Sequence, residues 1–123
     1  MLPLSFGVLL VAGVLGGVLA MAHLRASDAA LPGWPIGALH GILGAVGLAA
    51  LVVALRGPPR GVAMGVGSFG RIAAGLLVGA LIAGLGILVA RLRRRRVASL
   101  VVGVHATVAI SGIVVLAAYT LVG

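Results

Sequence analysis

The 123-residue sequence has no cysteine and a single acidic residue, Asp28. The first absence excludes a disulfide scaffold. The second excludes paired-carboxylate acid–base chemistry and an acidic metal-binding cluster. Charged residues make up 8% of the chain and aromatic residues 3%, where a soluble domain carries about a quarter charged residues. A chain so poor in polar groups cannot cover a water-facing surface, so a soluble globular domain is excluded, as is a disordered tail. What is present instead is 63% hydrophobic residues, 21 glycines and nine arginines, for a net charge of +8 and a mean hydropathy of +1.37. The arginines stand at the ends of apolar runs. A lipid bilayer explains that distribution and a nucleic-acid-binding surface does not, so no nucleic-acid partner is expected.

A helix needs about 20 mostly apolar residues to cross the hydrocarbon core. Four charge-free stretches meet that length: 2–24, 36–55, 72–90 and 97–122. Alternation of the kind a membrane β-barrel requires is absent. The expected fold is therefore all-α: one integral membrane domain over 1–123, an antiparallel up-down-up-down four-helix bundle. Pro32 and Pro35 break the chain between the first two spans, and Gly57-Pro58-Pro59 opens the next connector. Between spans three and four stands only RLRRRR, so a tight reversal is expected there, since a single helix across both spans would be far too long for a bilayer. The first span is read as a retained helix. It has no positive side chain at its start, and its apolar run is longer than the hydrophobic region of a typical signal peptide.

Six of the nine arginines, Arg25, Arg91 and Arg93 to Arg96, share one side of this layout; Arg56, Arg60 and Arg71 share the other. The positive-inside rule then places the arginine-rich connector in the cytoplasm and both termini outside it, in an inner or plasma membrane. Trp34 falls near the inner interface, and Phe6, Phe69 and Tyr119 near the outer one, where amphipathic rings usually sit. The run Arg93 to Arg96 reads as a stop-transfer signal that also meets anionic headgroups. Glycines recur four apart, as at Gly13 and Gly17 or Gly75 and Gly79. That spacing lets helices pack closely in lipid.

Three histidines, His23, His40 and His105, are the titratable residues left in or beside the spans. An ionisable residue at membrane depth is a functional-site candidate. His40 and His105 stand on helices that run in the same direction, at similar heights in the cytoplasmic half. Small residues follow each at i+4 and i+7: Gly44 and Gly47 after His40, Ala109 and Gly112 after His105. Those positions share the histidine's helical face. Each helix thus offers an imidazole beside a smooth strip that a flat macrocycle could lie against. Two such imidazoles supply the axial ligands of a six-coordinate haem. The match is also a weak internal repeat, with 36–55 aligning on 101–120 at an offset of 65.

A compact four-span bundle with histidines on helices two and four resembles the membrane b-type cytochromes, notably the cytochrome b561-like group. The resemblance rests on His40, His105 and their small-residue faces and covers the four-span layout. It implies one haem b with His40 and His105 as iron ligands, Gly44, Gly47, Ala109 and Gly112 making room for the ring, and electron exchange with quinol or a partner protein. The further histidine pair that serves a second haem in many such proteins is missing, so a relay through two haems is not implied.

Two other readings stand beside this one. Each histidine could simply bond a backbone carbonyl of a neighbouring helix. The chain would then be a cofactor-free assembly subunit of a larger membrane complex. His23 could be a solvated interfacial residue, or a contact for a quinone head or a haem propionate. Arg25 beside it could offer charge-assisted bonds to such an anion, and Asp28 could pair with Arg25 or lie near the start of helix two. Ser99, Thr107 and Ser111 are expected to bond backbone. Ion conduction would need a polar pore lining, and proton-coupled export of cations a membrane-embedded carboxylate; the spans carry neither. An electron carrier or redox-complex subunit, with a protein partner or second copy, is favoured over a stand-alone enzyme.

Overall fold

The structure, a computed structural model, describes residues 1–25 and 34–122. Asp28 and Pro32 lie outside the described residues. Four helices carry the fold: α1 (Leu2–Arg25), α2 (Trp34–Ala54), α3 (Phe69–Leu92) and α4 (Ser99–Val122). All four are long and apolar enough to cross a membrane. The protein is thus an all-α four-helix bundle of multi-pass membrane type, and no strand occurs among the described residues. α3 begins three residues earlier than charge alone indicates and takes in Arg71. A helix does not end where hydrophobicity ends, because its backbone bonds are indifferent to the side chains.

Each sequential pair forms an antiparallel hairpin, α1 on α2 and α3 on α4, and these are the most extensive contacts. α1 also packs on α4, and α2 more lightly on α3. α2 and α4 therefore stand diagonally across the bundle. The α3–α4 reversal is as tight as expected. Arg94 takes a left-handed conformation (φ 53°). The Arg95 N–H donates to the Ala90 carbonyl at 2.8 Å and the Arg94 N–H to the Arg91 carbonyl at 2.9 Å. This is a Schellman closure with arginine in the position usually held by glycine. The α2–α3 connector carries a short 3₁₀ turn (Val62–Met64) between Gly61 and Gly65, both at positive φ.

Tyr119 closes that end. It is only 3% exposed, its hydroxyl accepts a bond from the Arg60 N–H at 3.1 Å, and its ring lies where a Cβ on Gly70 would stand. It is therefore a buried anchor for the connector at that end. Trp34, 83% exposed, does stand at the other end as expected.

Burial is unevenly distributed. The core cluster comprises Leu2, Leu9, Leu48, Leu51, Ala73, Leu77, Leu116 and Tyr119. All lie between the His40–His105 level and the end that holds the termini. On the arginine-rich side of that level, 13–25, 34–46, 81–92 and 99–111 contain no fully buried residue. One half of the bundle is closed by leucines seated in small-residue notches.

Candidate functional site

The two histidines meet at the boundary between these halves. Their ring centroids are 6.1 Å apart and the ring planes are nearly perpendicular, at 89°. Each reaches that point by the same device. His40 Nδ1 lies 2.8 Å from the Ala12 carbonyl oxygen of α1, and His105 Nδ1 lies 2.8 Å from the Ala80 carbonyl oxygen of α3. A carbonyl only accepts, so Nδ1 carries the proton and donates in both. The remaining nitrogen, Nε2, then holds the lone pair. No described residue occupies either Nε2. Backbone capture of Nδ1–H is also the usual outer-shell arrangement of a metal-ligating histidine, because it fixes both tautomer and ring orientation.

Glycine permits this placement. A Cβ on Gly16 would stand 2.7 Å from His40 Cε1, and a Cβ on Gly84 would stand 3.1 Å from His105 Cε1. Each imidazole therefore lies against the bare backbone of the helix that also captures its Nδ1. Sequence reasoning missed Gly16 and Gly84. It looked along the histidine's own helix, whereas the clearance comes from the facing one.

The small residues that follow the histidines divide into two groups. Gly47 and Gly112 are buried notches: an added Cβ would meet Leu9 Cγ at 2.7 Å and Leu77 Cγ at 2.9 Å respectively. They seat leucines of the partner helices, so in this arrangement the space at both positions is already filled. At Gly44 nothing lies within 4 Å of an added Cβ, and Ala109 is half-buried. Open space thus lies beside Gly44, one turn from His40 toward the end that holds the termini. The Gly47 notch also holds Ser5, which is fully buried and donates from Oγ to the Gly47 carbonyl at 2.9 Å.

The weak internal repeat becomes a structural one. Leu9–Gly47, Ala12–His40 and Gly16–His40 in the first hairpin correspond to Leu77–Gly112, Ala80–His105 and Gly84–His105 in the second. The offset is 68 on α1 and α3 and 65 on α2 and α4. The shorter second offset reflects a tighter turn in the second hairpin. The sequence repeat was visible on α2 and α4 because only they carry histidines at matched positions.

His23 is half-buried, and its Nδ1 is the one buried side-chain nitrogen or oxygen among the described residues with no hydrogen-bond partner. Arg25 is exposed. It is nine residues from Gly16, which at 100° per residue turns it to the opposite face of α1. Thr107 and Ser111 donate to the carbonyls four residues back, of Gly103 and Thr107. They are backbone-bonded as expected.

The donor set limits the chemistry. Among the described residues no three His, Cys, Asp or Glu side chains come together. A bare zinc site takes three or four protein ligands, and this pair supplies two. Two trans imidazoles complete a metal whose other positions are filled by a macrocycle. The observed centroid separation of 6.1 Å, with the ring planes nearly perpendicular, is that of an ordinary T-shaped ring contact. Comparison of the chain with protein-family models, curated proteins and solved structures returns no match.

Proposed function

We propose that the protein is a membrane electron carrier, or the cytochrome subunit of a redox complex, that holds one haem b between His40 and His105. One observation supports this reading above the others. Two histidines 65 residues apart bring their ring centroids to 6.1 Å, and matched Nδ1–carbonyl bonds leave Nε2 as the unprotonated nitrogen of each. A purely structural histidine accounts for the Nδ1 bond but not for the approach of the two rings to each other. Bound there, the haem supplies a one-electron couple. The protein's part is to fix both imidazoles as neutral Nδ1–H tautomers, to keep the rings nearly perpendicular, and to seal one side of the site with the leucine core. Electrons would be exchanged with a quinol in the bilayer or with a partner protein, with the arginine-rich connector in the cytoplasm.

The test is a visible spectrum of the protein purified from haem-replete cells. A Soret band with a sharp reduced α-band is expected, lost in both His40→Ala and His105→Ala while helicity by circular dichroism is retained. Colourless wild-type protein would overturn the proposal and favour the cofactor-free assembly subunit.

A further inference from the structure

Resting on that haem reading, we infer that His23 and Arg91 form an anion clamp for the two propionate carboxylates of the haem, so that its charged edge points toward the arginine-rich end of the bundle. His23 follows Gly16 by seven residues and Arg91 follows Gly84 by seven. Seven residues are close to two helical turns, so each group shares the face on which its helix carries a histidine ring. It lies about 10 Å from that ring along the axis. The two positions are also equivalent in the structural repeat, 68 residues apart like Leu9 and Leu77, Ala12 and Ala80, and Gly16 and Gly84. Other matched positions carry apolar or small residues on these faces, whereas this pair carries one imidazole and one guanidinium.

Two further observations point the same way. The half of the bundle between the imidazoles and this pair has no fully buried residue. The leucine core fills the other. The His23 Nδ1 is buried and has no partner. A buried polar atom without a partner is costly, and a ligand oxygen would relieve it. Tetrapyrrole carboxylates leave from one edge of the ring, and two donors on α1 and α3, which stand diagonally across the bundle, suit two such arms. Bonds from a cationic donor to a carboxylate are the strong ones in this setting.

The experiment is a Soret titration of the apoprotein in detergent with haemin and with haemin dimethyl ester, whose propionates carry no charge. For His23→Ala and Arg91→Ala, affinity for haemin is expected to fall about tenfold each, with affinity for the ester unchanged. His23→Gln, which keeps a donor, should recover part of the loss. Arg56→Ala, at the opposite end, should leave both affinities as in wild type. An unchanged ratio of haemin to ester affinity in both variants would overturn the clamp while leaving the His40–His105 site standing. So would an equal fall for both ligands. A wild-type protein that binds neither ligand overturns the haem reading and the clamp with it.

Discussion

Gly16→Ala is the sharpest probe of the histidine site, because one added methyl group meets the imidazole directly. The new Cβ would stand 2.7 Å from His40 Cε1, 3.2 Å from Nδ1 and 3.5 Å from Nε2. Ordinary carbon contacts begin near 3.4 Å, so the ring must retreat by about 0.7 Å, or α1 and α2 must separate by as much. Either movement stretches the 2.8 Å bond from His40 to the Ala12 carbonyl toward 3.5 Å, beyond useful hydrogen-bond range. Inside a membrane such a bond contributes about 0.6 to 1.7 kcal/mol, and overpacking adds about 1–3 kcal/mol. A loss of about 2–3 kcal/mol in stability is therefore expected, read as a lower midpoint in a denaturant or thermal melt followed by circular dichroism in detergent. If the proposed haem is bound, haemin affinity should also fall by tenfold or more in the same variant, since metal ligands tolerate displacements of only about 0.2 Å. Gly84→Ala meets His105 at 3.1 Å and needs a retreat of only about 0.3 Å, so its effect should be clearly smaller. Gly41→Ala, with nothing within 4 Å, is the control. If Gly16→Ala melts and binds haemin like Gly41→Ala, the packing of His40 on Gly16 described above is wrong.

Two other predictions concern the scaffold. Gly47→Ala and Gly112→Ala drive a methyl group into Leu9 and Leu77 at nearly the same distances, so each should destabilise by about 1–3 kcal/mol and the two by similar amounts. A loss confined to one of them would break the structural repeat. Arg94→Gly should stabilise the fold by about 1 kcal/mol, because it removes the cost of a left-handed arginine from the Schellman turn; an unchanged or lower melting midpoint would contradict the strained turn.

Hydrophobicity and charge placement alone determined the number of spans, their limits to within a few residues, the reversal at RLRRRR and the choice of His40 and His105. The bilayer imposes those features through span length and the cost of burying charge, and both are local properties of the chain. The tertiary structure decided what depends on facing helices. Gly47 and Gly112 proved to be leucine notches, and the clearance beside the imidazoles came from Gly16 and Gly84, 24 and 21 residues away in sequence. Tyr119 is buried because Gly70 of α3 leaves room for its ring. His23, not Arg25, shares the site's face because helical phase outweighs nearness in sequence. Helical phase and contact across helices depend on how whole helices are set against one another. The order of residues along one span carries no record of that. What each histidine's Nδ1 bonds to, and hence which nitrogen is left for a ligand, was settled only when α1 met α2 and α3 met α4.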